Sequence, residues 1–218
     1  MHKKIALILT LLLPVQYGIL RLLLHFPETV ETYYSLGLYP IISKVSRFLF
    51  GWVPFSVGDL FYALITIYAL RWLYKNVRRL RRTPLRFFLD ITATVSMIYF
   101  MFHILWGLNY YRMPLHNSIG IENEYTTEEL ITMTERFIKK ANKMHRQLGY
   151  ADSVKIMLPY TQEEIFDRTK NGYDNIKEEF PMLTYAPVSL KKSGWSLGLT
   201  IMGYSGYLNP FSNEAQVN

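Results

Sequence analysis

The sequence predicts a membrane protein: three transmembrane α-helices followed by an α+β soluble domain. Three observations predict it. Long apolar runs occur within the first 110 residues, a basic segment lies between two of them, and the second half is polar with helix-capping and strand patterns. We therefore expect a three-helix anchor over residues 1–112 and a soluble domain over residues 113–218.

The first apolar run covers residues 5–26 and follows Lys3 and Lys4. At a rise of 1.5 Å per residue it spans roughly 33 Å, enough to cross the hydrocarbon core of a bilayer. A cleaved signal peptide is the alternative interpretation. That alternative needs a shorter apolar core and a small-residue cleavage site, so we favour an uncleaved anchor.

The segment 27–53 is rich in aromatic residues and is interrupted by Pro40 and Gly51. Aromatic side chains concentrate at membrane–water interfaces, so we expect an interfacial loop here. Residues 41–50 within it are predicted to form a short helix on the bilayer surface.

Two further spans are predicted at about 57–74 and 87–108, on either side of a basic segment at 75–86. Residues 1–109 hold 12 Lys/Arg against 4 Asp/Glu, whereas residues 110–218 hold 12 against 13. Because the positive charge lies between apolar segments, orientation in a membrane explains it better than binding to nucleic acid. The expected partner is the lipid bilayer, and no nucleic acid is expected.

Basic segments remain on the cytoplasmic side of a membrane. The predicted topology therefore has the N-terminus and residues 75–86 inside the cell and the C-terminal domain outside. We expect a multi-pass protein of the cell inner (plasma) membrane.

Two capping patterns begin the helices of the soluble domain. Thr126 precedes Glu129, and Thr161 precedes Glu164, each at the spacing of a capping box. Apolar residues at helical spacing extend the first helix to about Gly149. Each box therefore predicts an amphipathic helix.

The pattern changes after residue 185. Short apolar runs at 187–190 and 199–204 are separated by Gly and Ser, which predicts strands and turns. The soluble domain is accordingly predicted to be α+β.

The chain offers few residues for chemistry. Four ionisable residues lie within or beside the predicted spans, and we expect structural roles for them: Arg21, Asp59, Asp90 and His103. There is no cysteine, and no two of the five histidines form an i, i+4 pair, so the His-Glu-x-x-His pattern is absent. We expect no catalytic residue, no metal ligand and no cofactor in this chain. His145 at the end of the first soluble helix is not a metal site by itself.

The last segment, 202–218, combines a Gly-interrupted strand pattern, an Asn-Pro turn and a polar stretch. A surface hairpin is the simplest interpretation. Because the pattern stops abruptly, we also expect the chain to be a fragment of a longer protein.

Four segments together resemble a family of uncharacterised bacterial membrane proteins designated domain of unknown function 3810. They are Tyr-Ser-x-Gly-x-Tyr-Pro at 34–40, Gly-Trp-x-Pro-Phe-Ser-x-Gly-Asp at 51–59, Trp-Gly-Leu-Asn-Tyr-Tyr-Arg at 106–112, and Gly-Tyr-Leu-Asn-Pro-Phe-x-x-Glu-Ala-Gln-Val-Asn at 206–218. The resemblance covers nearly the whole chain.

The resemblance implies a zinc metallopeptidase of the gluzincin type, in which a His-Glu-x-x-His helix follows the last of these segments. This chain lacks that helix, so it is expected to be inactive alone, and zinc is expected only in the full-length protein. The resemblance also implies that an edge strand beside the active site pairs with an extended peptide or protein substrate. The implied substrate-binding residues are Met202, Gly203, Tyr204, Ser205, Gly206, Tyr207 and Leu208.

Two functions remain open at this point. The chain is either the N-terminal part of a membrane-anchored zinc peptidase acting outside the cytoplasm, or a non-catalytic envelope protein whose outer domain binds partners.

Overall fold

The computed structural model describes residues 3–122, 124–149, 154–180, 183–186 and 188–217. It is mostly helical, with a small three-stranded sheet. The chain forms two compact units, one built from residues 1–113 and 180–218 and the other from residues 114–179.

The first unit begins with a series of helices. They are α1 (Lys3–Leu23), α2 (Pro27–Thr29), a π-helix (Val30–Leu38), α3 (Tyr39–Phe50), α4 (Val57–Arg82), α5 (Pro84–Leu105) and a 3₁₀ helix (Gly107–Tyr111). The prediction of a loop is therefore wrong over residues 27–40, whereas the short helix predicted at 41–50 is confirmed by α3. Pro27 stands in the first turn of α2, where a missing N–H costs no hydrogen bond, so it begins a helix rather than breaking one. Pro40 lies where the π-helix passes directly into α3.

The helices α1 and α5 lie side by side and run in the same direction. Thr10 Oγ1 is 2.8 Å from Thr92 Oγ1, and Gln16 Nε2 donates to Ser96 Oγ at 2.9 Å. Small residues at the contact, with Ala93 fully buried, allow the two backbones to approach closely.

The helix α4 is connected to α5 by the single residue Thr83 and runs antiparallel to it, since Ile65 of α4 and Ile98 of α5 line one cavity while the ends near Thr83 also meet. Trp72 stacks on Phe87 with 5.5 Å between ring centroids, and Arg79 Nη1 lies 3.6 Å from Asp90 Oδ2. The basic segment 75–86 therefore lies at the closed end of a helical hairpin, in the last turns of α4 and the first turn of α5, and we call it the basic turn.

Two of the described helices, α1 and α5, are long and apolar enough to cross a membrane, which by itself only weakly indicates membrane association. The predicted span at 57–74 is not among them, so the prediction of three such helices is corrected to two. Asp59, Arg71 and three tyrosines lower the hydropathy of this part of α4. The predicted span at 87–108 is shifted, because α5 ends at Leu105.

The first unit ends in the sheet. Its strands are β1 (Leu190–Lys192), β2 (Gly206–Leu208) and β3 (Ala215–Val217), and α9 (Ser196–Ile201) lies between β1 and β2. The order is β1-β3-β2, with β1 parallel and β2 antiparallel to the central β3.

The predicted strand at 199–204 is wrong, because these residues form the end of α9 and a turn. The amide of Leu199 donates to the Trp195 carbonyl, and that of Met202 donates to the Gly198 carbonyl, as in a helix. A short apolar run does not distinguish helix from strand by its periodicity. Of the predicted strand at 187–190, Leu190 begins β1, and Pro187 lies outside the described residues.

The second unit contains α6 (Leu115–Ile119), α7 (Thr127–Gln147) and α8 (Gln162–Glu179). Both predicted capping boxes are confirmed. Thr126 Oγ1 accepts from the Glu129 amide at 3.2 Å, while Glu129 Oε2 accepts from the Thr126 amide at 2.8 Å. Thr161 and Glu164 make the same pair of bonds before α8.

Candidate functional site

The carboxylate of Glu214, just before β3, is completely buried against the N-terminus of α4. Its Oε2 accepts from the Gly58 amide at 2.7 Å, and its Oε1 accepts from the Val57 amide at 3.2 Å. The first amides of a helix have no partner within the helix, and the helix dipole is positive there. Glu214 therefore supplies both acceptors and a compensating negative charge.

Lys191 of β1 neutralises that carboxylate. Its Nζ lies 2.6 Å from Glu214 Oε1 and donates to the carbonyls of Phe50 at 2.6 Å and Phe55 at 3.1 Å. Lys191 is only 4% exposed, so the ammonium depends on these three acceptors. The ion pair joins the sheet to the connection between α3 and α4.

A second carboxylate, Asp59 in the first turn of α4, binds β2 and the residues that follow β1. Its Oδ1 accepts from the Tyr207 hydroxyl at 2.8 Å, and its Oδ2 accepts from the Gly194 amide at 2.7 Å and from Ser193 Oγ at 3.1 Å. Burial, and then the hydrogen bond to Asp59, raise the pKa of Tyr207 well above its ordinary value. The phenol therefore remains protonated and keeps donating to the carboxylate.

Together these groups form what we call the polar cluster. Its members are Ser56, Asp59, Lys191, Ser193, Tyr207, Ser212, Glu214 and Gln216. Ser56 caps α4 by accepting from the Asp59 amide at 3.0 Å, and Gln216 of β3 donates to Ser56 Oγ. Ser212 Oγ donates to Glu214 Oε2 at 2.7 Å.

The turn between β2 and β3 adds an apolar contact to this cluster. Asn209 Oδ1 accepts from the Phe211 amide at 3.0 Å, which presents the Phe211 ring to Phe61 of α4 at 5.7 Å between centroids. Asn213 has a φ of 54°, a left-handed conformation that Asn tolerates, and its Oδ1 accepts from the Tyr39 hydroxyl at 2.9 Å. The turn is thus held by α3 and α4.

The polar cluster is a structural clamp. Its two carboxylates are matched by an ammonium, a phenol, hydroxyls and backbone amides, and it lies in a buried region. A charge whose partners all belong to the fold stabilises that fold and is not available to a substrate. The consequence for function is indirect: the clamp fixes the position of β2.

Zinc, which the family resemblance implies, does not fit the residues present. Among the residues that the structure describes, no group of three or more His, Asp or Glu side chains could hold a metal ion. His145 Nε2 lies 2.9 Å from the Val154 carbonyl oxygen, at hydrogen-bonding distance. No chemical step is therefore assigned through zinc in this chain.

The implied substrate-binding segment is only partly a strand. Met202 and Gly203 form the turn after α9, with φ of 88° at Gly203, and Tyr204 is 56% exposed. Ser205 is exposed and connects the turn to β2. Gly206, Tyr207 and Leu208 are the strand itself.

The register shows which way the β2 backbone points. Tyr207 is opposite Gln216, and the Asn209 amide donates to the Glu214 carbonyl at 2.9 Å. In an antiparallel pair, hydrogen-bonded positions alternate, so Tyr207 and Asn209 bond to β3. The amides and carbonyls of Gly206 and Leu208 consequently point away from β3, on the side where the sheet order places no other described strand.

The ionisable residues near the predicted spans all make internal contacts. Asp59 belongs to the polar cluster, and Asp90 pairs with Arg79. Arg21 Nε donates to the Tyr17 hydroxyl at 2.8 Å, and His103 Nδ1 lies 2.8 Å from the Tyr99 carbonyl oxygen. Asp59 accepts three hydrogen bonds from the sheet region, which is more than a role as a solvated or helix-capping residue requires.

Sequence reasoning missed Lys191 and the role of Glu214. Glu214 and the Gly58-Asp59 pair belong to two of the four segments that carry the family resemblance. Those segments therefore indicated that both positions matter, although not that they meet. Nothing local in the sequence relates Lys191 to residues more than 130 positions away.

The fold and the polar cluster define a helical protein whose C-terminal sheet is clamped onto the N-terminus of α4. The family model described as "Protein of unknown function (DUF3810)" matches residues 34–218, and the chain belongs to that family. No curated protein and no solved structure matches the chain.

Proposed function

We propose that the chain is the membrane-anchored, peptide-holding part of a zinc-peptidase-type protein, with β2 pairing to an extended peptide outside the cytoplasm. The observation that carries the proposal is the edge position of β2 together with the outward backbone groups of Gly206 and Leu208. Strand addition needs such a row of unpaired donors and acceptors on a rigid strand. The polar cluster supplies the rigidity.

The directions of the helices support a multi-pass anchor. If α1 and α5 cross a bilayer, they cross it in the same direction, so the chain between them must return. The helix α4 is antiparallel to α5 and, with 26 residues, is about 39 Å long. We propose α4 as the return segment despite its lower hydropathy.

Charge supports the orientation. Lys3 and Lys4 begin α1, and the basic turn at 75–86 lies at the same end of the parallel α1 and α5. Because positive residues favour the cytoplasmic side, we propose that the opposite end, with the sheet, lies outside the plasma membrane. The proposed partners are the lipid bilayer and a peptide or protein substrate, with no nucleic acid.

Hydrolysis is not assigned to this chain. The zinc helix that the resemblance implies has no counterpart among the described residues, so the chain is proposed to position a peptide without cleaving it.

Amide hydrogen exchange tests the strand pairing. The chain in detergent micelles is mixed with an unstructured decapeptide of alternating Val and Thr, and exchange is followed residue by residue by NMR. We expect the peptide to slow exchange at Gly206 and Leu208 and to leave Tyr207 unchanged, because Tyr207 is already bonded to β3. Equal slowing at all three positions, or none, contradicts the proposal.

A pair of variants isolates the backbone contribution. Leu208→Pro removes an outward amide without removing a bond to β3, whereas Leu208→Ala removes only side-chain atoms. We expect peptide binding to fall about tenfold in Leu208→Pro and to persist in Leu208→Ala, consistent with the loss of about one hydrogen bond. Both variants should keep the melting temperature of the parent chain. Undiminished binding by folded Leu208→Pro would eliminate strand pairing.

A second candidate, a non-catalytic envelope protein that binds partners, is favoured by α7. This helix exposes large apolar residues on the second unit: Leu130, Met133, Phe137 and Met144. If α7 binds a partner protein, Phe137→Ser abolishes capture of that partner from solubilised membranes while exchange at β2 with the decapeptide is unaffected.

A further inference from the structure

A groove of about 530 Å³ runs between α4 and α5, away from the polar cluster. Its walls are apolar over most of their length, with Ile65, Tyr68 and Trp72 on α4 and Val95 and Ile98 on α5. Several of these side chains are more than a third exposed, so the groove opens outward along the helical hairpin.

One end of the groove is polar. Asn76, Arg79 and Asp90 form it, next to the basic turn. Asn76 is neutral, and its Nδ2 donates to the Trp72 carbonyl. Arg79 is the cation among the described residues that line this end. Arg79 Nη1 lies 3.6 Å from Asp90 Oδ2, and the Arg79 side chain is 46% exposed, so it remains partly accessible to an occupant of the groove.

The charge around this end is strongly positive. Six basic residues lie within the segment 75–86, and they are Lys75, Arg78, Arg79, Arg81, Arg82 and Arg86. Asp90, the one acid among the described residues that line the groove, offsets one of them. An occupant with an anionic group at one end and an apolar body complements this distribution.

The groove is long enough to extend across one leaflet. From Ile65 to Arg79 the helix α4 rises roughly 21 Å, against about 15 Å for half of the hydrocarbon core. We propose that the groove binds an anionic phospholipid of the bilayer, with one acyl chain between α4 and α5 and its phosphate at Arg79. The proposal rests on the membrane insertion of α4 and α5 proposed above and is independent of peptide binding.

Trp72 in the groove wall provides the measurement. Trp52, Trp106 and Trp195 are replaced by Phe, which leaves Trp72 as the tryptophan that reports. The chain is reconstituted in phosphatidylcholine vesicles that contain the same mole fraction of either brominated phosphatidylglycerol or brominated phosphatidylcholine. Bromine quenches tryptophan on contact. We expect brominated phosphatidylglycerol to bind the groove with about fivefold higher affinity than brominated phosphatidylcholine, and so to quench Trp72 more strongly. One arginine gives a preference of this size for an anionic lipid.

Two variants separate the groove from the general attraction of a basic surface. Arg79→Gln should lose the preference, while Arg81→Gln should keep it, because Arg81 carries the same charge but does not line the groove. Native mass spectrometry of the unmodified chain, Arg79→Gln and Arg81→Gln repeats the comparison with all four tryptophans present, and bound phosphatidylglycerol should be lost only in Arg79→Gln.

Several outcomes overturn the proposal. Equal quenching by both lipids would overturn it, and so would equal responses of the two variants. No quenching in vesicles from which carbonate does not extract the chain would also overturn it, since another helix or a second copy would then cover the groove. Extraction by carbonate would instead refute the membrane insertion on which the proposal rests, and it would leave the exchange test on β2 unaffected.

Discussion

Glu214 and Lys191 carry opposite charges in a region from which water is excluded. Removing a charge from water costs free energy, and only a close partner and further hydrogen bonds offset that cost. Both residues have these partners on α4 and on the connection before it. At the residue scale, the stability of the sheet therefore depends on keeping both charges together.

Glu214→Gln should destabilise the chain by about 3–5 kcal/mol, because it leaves the Lys191 ammonium buried without an anion. The control is Glu135→Gln, which breaks the exposed pair with Lys139 on α7 and should change stability by less than about 1 kcal/mol. Urea unfolding in micelles measures both. Combining Glu214→Gln with Lys191→Met should recover part of the loss. Equal effects of Glu214→Gln and Glu135→Gln would contradict the role assigned to the clamp.

At the scale of the element, the capping boxes show how local sequence determines a helix end. A hydrogen bond from the Thr126 amide, followed by one from its hydroxyl, lowers the pKa of Glu129, and Thr161 lowers the pKa of Glu164 in the same way. A carboxyl whose pKa is lower in the folded state adds stability above its unfolded pKa. That stability is lost as the pH falls through the folded pKa.

Glu129→Gln should therefore weaken amide protection in the first turn of α7 at pH 7. As the pH falls through the lowered pKa of Glu129, the parent carboxylate becomes protonated, and the parent chain and the variant should converge. Hydrogen exchange, corrected for the intrinsic rate at each pH, measures the difference. Glu128→Gln changes the charge of the same turn without breaking the box and should retain most of the protection. A difference between Glu129→Gln and the parent that persists once the parent carboxylate is fully protonated would argue against the box as its source.

At the scale of the whole molecule, the parallel helices α1 and α5 and the antiparallel α4 separate the basic turn from the sheet. The basic turn lies at one end, and the sheet with its polar cluster lies at the other. This separation is what the proposed orientation in a membrane needs.

A reporter that is active only outside the cytoplasm tests this arrangement. Fused after the last residue it should be active, and fused after Arg82 it should be inactive. The reverse pattern, or activity at both positions, would refute the orientation. Replacing the six basic residues of 75–86 by Gln should reduce the activity of the first fusion, because their charge keeps the turn inside.

The sequence alone was sufficient for features that depend on neighbouring residues. The apolar runs of α1 and α5, the two capping boxes and the separation of charge could all be predicted, because hydropathy, capping and charge are local quantities. Family membership was also carried by four short segments. The same local information failed at 27–40 and at 199–204, where a proline that begins a helix and a short apolar run were ambiguous.

Only the tertiary structure decided what depends on distant pairs. It brought Lys191 to Phe50, Asp59 to Tyr207 and Glu214 to the first turn of α4, and so converted two family segments into one clamp. It also determined the register that turns Gly206 and Leu208 outward, because which backbone groups face a partner depends on which strand lies opposite. The physical reason is the same in each case: burial and pairing are properties of residues that meet in space, and their spacing along the chain does not specify the meeting.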